Sequence, residues 1–195
     1  MRLCRLAAAL LAVAYPALVY YGLTRFEPRV LGLLLLAILL LRQGSRTLAF
    51  WRSAPRGERT LILAMLALSL AIVGSNREEL LRLYPAAMSG GMFLLFARSL
   101  RHPPSFIERI ARLHEPELDA AGVRYTRQVT QVWSGFLAVN TLLALITVFT
   151  SRELWALWNG LGAYLCMGLL FAGEWLLRRR APRPPSRSSA TPAPA

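Results

Sequence analysis

Lysine does not occur among these 195 residues, so all 23 basic side chains are arginine. That absence excludes Schiff-base chemistry and a phosphate-loop lysine. Cysteine is almost as scarce. Cys4 and Cys166 stand far apart, with no CxxC pair, which excludes a disulfide framework. The only histidines, His102 and His114, have no cysteine near them, so no metal site is expected. Charged residues make up only 17% of the chain, and acidic side chains number ten against the 23 arginines. The resulting net charge of +13 could mark a nucleic-acid or anionic-lipid binder. Its distribution points instead to loop bias in a membrane protein, and no nucleic-acid partner is expected.

What the chain has in abundance is apolar sequence. Hydrophobic residues account for 55%, and they fall in long uncharged runs between short arginine-bearing segments. A soluble domain does not arrange its apolar residues this way. The runs predict an all-α fold, a polytopic transmembrane bundle of about six spans. These lie at about 6–23, 28–44, 60–75, 80–97, 132–150 and 154–177, within a single domain over 1–180. The first run follows Arg2 and Arg5, as in a signal peptide, but it is too long for a signal core and is expected to be an uncleaved span. The second has only twelve consecutive apolar residues, 30–41, or roughly 18 Å of helix against a ~30 Å hydrocarbon core. It crosses only if Arg29 and Arg42 snorkel or the helix continues. Residues 181–195, rich in Pro, Ser, Ala and Arg, are expected to be a disordered tail.

The arginines orient these spans. With the N-terminus inside, 18 arginines fall in inner segments. Only Arg25, Arg29, Arg77, Arg82 and Arg152 fall outside. The pattern predicts a multi-pass membrane protein with both termini cytoplasmic. Arg82, inside the start of the fourth run, is expected to snorkel outward.

The longest loop, 98–131, carries the most chemistry. Pro103-Pro104 stops the fourth helix, and Ser105 with Glu108 makes a capping-box pattern that starts a short amphipathic helix. Phe106, Ile107, Ile110 and Leu113 would face the membrane, with Glu108, Arg109 and Arg112 on the polar side. Pro116 ends that helix, and another is expected to begin near Asp119 and run into the fifth span. The candidate working surface comprises Glu108, Arg109, Arg112, His114, Glu115, Arg124, Tyr125 and Arg127. Arginine's planar fork suits phosphate and carboxylate partners. The alternative is a solvated connector. A third possibility is catalytic, because His114 and Asp119 have the H-x4-D spacing of glycerolipid acyltransferases, with the imidazole as general base. Pro116 between them weighs against it.

Inside the spans the polar residues are Asn140, Asn159 and Glu174. Thr126, Trp133, Asn140 and Thr147 repeat every seven residues. Asn159, Gly162, Cys166 and Gly173 form a small or polar stripe, and Ala86/Gly90 and Ala87/Gly91 are small-xxx-small pairs. Such stripes are packing seams more often than ligand cavities. Glu174 is expected to pair near Arg127 or Gln131.

Four stretches, LYPAAMS at 83–89, PPSFIERIARLHEPEL at 103–118, VRYTRQVTQVW at 123–133 and WNGLGAYLCMGLLFAGEWLLRRR at 158–180, carry a resemblance. The chain resembles a family of bacterial inner-membrane proteins encoded beside fatty-acid-synthase-like enzymes that make aryl polyene pigments or related acyl lipids. The resemblance implies an accessory role in such a pathway. Expected partners are membrane lipids and, at the cytoplasmic face, an acyl carrier protein or pathway enzymes. No reaction is assigned to the family, so no catalytic residue and no cofactor carries over. A lipid or small-molecule transporter is the second reading and a membrane-bound acyltransferase the third.

Overall fold

The structure, a computed structural model, describes residues 25–44 and 55–180. Among these, all regular structure is helical and there is no strand. The expected span at 6–23 and the tail at 181–195 lie outside the described residues. In chain order the helices are α1 (Pro28–Gly44), α2 (Arg56–Ser75), α3 (Glu78–Arg101), α4 (Phe106–Ala111), α5 (Ala120–Val148), α6 (Arg152–Leu157) and α7 (Ala163–Arg180). A π-helical turn, Trp158–Gly162, joins the last two.

Four helical stretches are long and apolar enough to cross a membrane: Arg56–Ser75, Glu78–Arg101, Ala120–Val148 and Arg152–Leu176. The chain is thus an all-helical protein of the multi-pass membrane class. The α1 helix has the expected bounds of 28–44, but its apolar part, Pro28–Leu41, is shorter than the four. The described residues therefore contain four clear spans of the six expected, and the run at 6–23 is not among those residues. At about 1.5 Å per residue, the 17 residues of α1 make about 25 Å of helix, short of the ~30 Å core.

Local signals explain the boundaries. Pro55 precedes the first turn of α2, and Asn76 closes that helix at φ 53°, donating its N–H to Ile72 O at 2.9 Å. Asparagine tolerates the left-handed conformation better than most residues. Glu78 and Glu79 open α3, and Arg98 and Arg101 close it, matching the helix dipole at both ends. Asp119 caps α5, its Oδ1 accepting from Gly122 N–H at 2.7 Å. The last run is not one uninterrupted helix. Around Trp158–Gly162 the Ala163 N–H reaches back to Trp158 O, and a Cβ on Gly162 would come within 2.8 Å of the Trp158 ring. Glycine leaves room there for the wider turn.

The core seam lies between α3 and α5. Thr126, Thr130, Ser134, Asn140 and Thr147 are all buried along α5, with Val129, Leu137 and Ala144 between them. The hydroxyls of Thr130 and Ser134 donate to carbonyls one turn back, so no buried O–H is wasted there. Of the expected seven-residue repeat in α5, Thr126, Asn140 and Thr147 are buried, whereas Trp133 lies against Phe171 of α7 at 4.7 Å. The small pairs in α3 face two ways. A Cβ at Gly90 would lie 3.3 Å from Thr141 of α5, and one at Gly91 would run into Leu61 of α2. Of the expected stripe in the last helix, Asn159 bonds to Thr147 of α5 and Gly162 lies against the Trp158 ring, whereas around Gly173 no described residue lies within 4 Å. Gly91→Val should therefore lower thermal stability in detergent by about 1–3 kcal/mol through overpacking. Gly135→Val, where no described residue lies within 4 Å, should not lower it. Equal melting midpoints for the two variants would contradict the close α2–α3 approach.

Candidate functional site

The antiparallel helices sort the charges into two ends. At one end Arg29 N–H donates to Asn76 Oδ1 at 2.8 Å, and Arg152 grips Glu78 with two donors. At the other end lie Arg56, Arg59, Arg98, Arg101, Arg109, Arg112, Arg124 and Arg127. Arg98 lies 20 positions along α3 from Glu78, about 30 Å, which is the thickness of a hydrocarbon core.

Arg82 does not snorkel. It is only 9% exposed and turns into the protein. Its Nη1 donates to Val148 O and Thr150 O, both at 3.1 Å, at the end of α5. Its Nε lies 3.1 Å from Glu78 Oε1, a charge contact without an aligned hydrogen bond. The Trp155 indole N–H donates to Arg82 O at 3.0 Å, which ties α6 to the same point. Four carbonyls at every helix C-terminus lack intrahelical donors, and burial makes those at 148 and 150 good sites for a cation.

At the arginine-rich end α4 packs on the bundle. Phe106 stacks on Phe96 at 4.2 Å, its N–H donates to Ser99 Oγ at 2.9 Å, and Ile107 N–H donates to Thr130 Oγ1 at 3.3 Å. The capping-box pattern is present, and Glu108 Oε2 accepts from Ser105 N–H at 3.2 Å. Of the expected polar side of this helix, Glu108 instead faces inward and is 6% exposed, while Ile110 and Leu113, expected to face the membrane, are exposed. The physical reason is Arg112. Its Nε and Nη2 both donate to Glu108 Oε1, at 3.0 and 2.8 Å, and its Nη1 donates to Pro116 O at 3.1 Å. A carboxylate with three donors can be buried at tolerable cost. Arg109 pairs with Glu58 of α2 at 3.5 Å and lies over the Phe106 ring.

The remaining candidates divide. His114, Glu115 and Tyr125 are brought together around a cavity of about 540 Å³ between α4 and the start of α5. Its walls are mainly apolar, including Ile107, Ile110 and Leu118. Arg124 and Arg127 lie exposed on α5 beside it. His114 makes no hydrogen bond or ion pair with Asp119, whose carboxylate caps α5 instead. In the span region Asn140 Nδ2 donates to Ser89 Oγ at 2.8 Å, joining α5 to α3. Asn159 Nδ2, on the π turn, donates to Thr147 Oγ1 at 3.1 Å and Trp155 O at 3.0 Å. Glu174 is half-buried on α7. The described residues contain no group of three or more His, Cys, Asp or Glu side chains that could hold a metal ion.

Two features that escaped the sequence reading are long-range. One is the inward turn of Arg82. The other is a second cavity, of about 370 Å³, where Arg56 of α2 meets Arg98 and His102 at the end of α3. Both depend on residues far apart in the chain.

Compared with protein-family models, curated proteins and solved structures, the chain matches none of them. Its class, a multi-pass helical membrane protein, rests on its own sequence and fold.

Proposed function

We propose that this chain is a non-catalytic, accessory component of an acyl-lipid or aryl-polyene-type pathway in the bacterial inner membrane. Its arginine-rich end is cytoplasmic, and six spans leave both termini on that side. The family resemblance supplies the pathway, and the excess of arginine at one end supplies the orientation. The observation that carries a docking role is the fixed position of α4. It is bolted to α3 through Phe106 and to α5 through Ile107 instead of floating as a connector. A preformed apolar cavity with a few polar groups at its rim is a common form of binding site. The exposed Arg124 and Arg127 beside it suit an acidic partner, of which an acyl carrier protein is the expected kind.

The test is a deletion strain with its lipids and pigments profiled leaflet by leaflet, complemented by paired Arg→Gln variants. Loss of Arg124 and Arg127 should lower pathway product while protein amount stays normal. Loss of Arg109 and Arg112 should lower protein amount as well, because these two hold Glu58 and Glu108. Loss of Arg46 and Arg52 in the other inner loop should change neither. An unchanged profile in the deletion strain would remove the pathway assignment. Product accumulating in one leaflet only would favour the transporter reading. Activity of a C-terminal fusion only with a periplasm-active reporter would overturn the orientation.

A further inference from the structure

The 370 Å³ cavity at the junction of α2, α3 and α4 has an unbalanced charge. Its lining includes Arg56, Arg98 and Arg109 against one carboxylate, Glu58. Glu58 is already engaged by Arg109 at 3.5 Å. Arg56 and Arg98 make no ion pair among the described residues. No acidic side chain elsewhere in the chain can supply one, since all ten, from Glu27 to Glu174, lie within those residues. Two guanidinium groups therefore converge on one cavity with no side-chain counter-ion assigned to either.

The cavity is built rather than incidental. Gly57 lets the first turn of α2 press against α3, because a Cβ there would lie 2.8 Å from Leu95 Cδ2. That contact brings Arg56 beside Arg98. The first-turn N–H groups of the 20-residue α2 add their partial positive charge at the same place. Ser99 does not compete for a ligand. Its hydroxyl donates to Phe96 O and accepts from Phe106 N–H. Leu95 forms an apolar wall, and the adjacent Leu94 is 65% exposed on the outer surface of the helix. Arg98 stands about 30 Å along α3 from Glu78, at the depth where phosphates of one leaflet lie.

We infer that Arg56 and Arg98, with His102 at the rim, form a site for the phosphate of an anionic glycerophospholipid, whose acyl chains leave along the exposed face of α3. Two arginine forks can take the phosphate oxygens in paired hydrogen bonds. Basic pockets between membrane helices on the arginine-rich side are a recurrent way of holding anionic head groups. The site is separate from the docking cavity and does not rest on the pathway assignment.

The experiment uses the full chain purified in a neutral detergent. Phosphatidylglycerol and, separately, phosphatidylcholine are added in mixed micelles, and bound lipid is counted by native mass spectrometry. The wild type should retain one phosphatidylglycerol per chain and little phosphatidylcholine. Arg56→Gln/Arg98→Gln should weaken that retention at least tenfold. Arg124→Gln/Arg127→Gln, which removes the same charge from the same end, should leave it intact. Arg98→Lys should give an intermediate loss, because it keeps the charge and loses the fork. If the double variant is not monodisperse, the single Arg98→Gln decides by the same readout. Inorganic phosphate and glycerol 3-phosphate form the second arm. Displacement of the lipid by either at comparable concentration would show a soluble phosphate ligand and overturn the lipid assignment. Equal loss in both arginine pairs, or no stoichiometric retention by the wild type, would overturn the site.

Discussion

Arg82→Met is expected to destabilise the protein by about 3 kcal/mol, the low end of the cost of breaking a buried ion pair. The side chain is 9% exposed, donates to two carbonyls at the end of α5 and holds its charge against Glu78. Removing it strips Val148 O and Thr150 O of their side-chain donor at the end of α5. Glu78 keeps Arg152, which is why the cost stays at the low end. Trp155 offers a local reporter, because its indole N–H donates to Arg82 O and it is only 5% exposed. Thermal unfolding in detergent, followed by tryptophan emission, should show both an early transition and altered Trp155 surroundings. Arg152→Gln removes a half-exposed pair and should cost less than about 1 kcal/mol. Arg82→Lys should fall between them, since one ammonium cannot span both carbonyls and Glu78. Glu78→Gln added to Arg82→Met should cost less than the two single changes together, because the variants share a partner. A melting midpoint for Arg82→Met equal to wild type would show that the cation does not brace the end of α5.

The contrast between Arg82 and its neighbours explains what could be read in advance. The start of α2, the end of α3 and the start of α5 follow from residues beside each helix: Pro55, Pro103-Pro104 and Asp119. The short α4 follows from Ser105 and Glu108 three residues apart. Such signals act within one turn, so a linear reading captures them. Arg82 looked like a snorkelling residue because its acceptors lie 66 and 68 residues away. The meeting of Arg56 with Arg98 is invisible for the same reason, being set by how closely α2 approaches α3 at Gly57. The π turn at Trp158–Gly162 hides inside an apolar run that reads as plain helix. Even the inward face of Glu108 had a local clue in Arg112 four residues on. Polarity alone pointed it outward, and only the packing of Phe106 on Phe96 decides which side of α4 faces the protein.

Glu108 is therefore the position where the docking cavity is most exposed to a single change. Glu108→Ala removes the acceptor of Ser105 N–H and the partner of Arg112 together. Hydrogen bonds to charged groups contribute about 1.5–3 kcal/mol each, but Arg112 is partly solvated, so the combined loss should be about 2–3 kcal/mol. Because α4 is only six residues long, that loss should appear as local opening and not as global unfolding. Amide hydrogen exchange over 105–115 should speed up roughly 30- to 150-fold, at about 1.4 kcal/mol per factor of ten. Exchange in the α3–α5 seam and the melting midpoint should change little. Trypsin should cut faster at Arg109 and Arg112. Glu108→Gln separates the two roles of the carboxylate. Its amide oxygen can still accept from Ser105 N–H, as glutamine does in a capping box, but it offers Arg112 no charge. Its exchange rate should thus lie between wild type and Glu108→Ala. Ile107 and Ile110 of α4 wall the 540 Å³ cavity, so opening α4 dismantles that wall. On the proposed docking role, pathway output should fall in the order wild type, Glu108→Gln, Glu108→Ala, with protein amount constant. Fast local exchange with unchanged output would separate α4 from function and return the cavity to packing alone. Slow exchange in all three proteins would show that Phe106 holds α4 by itself.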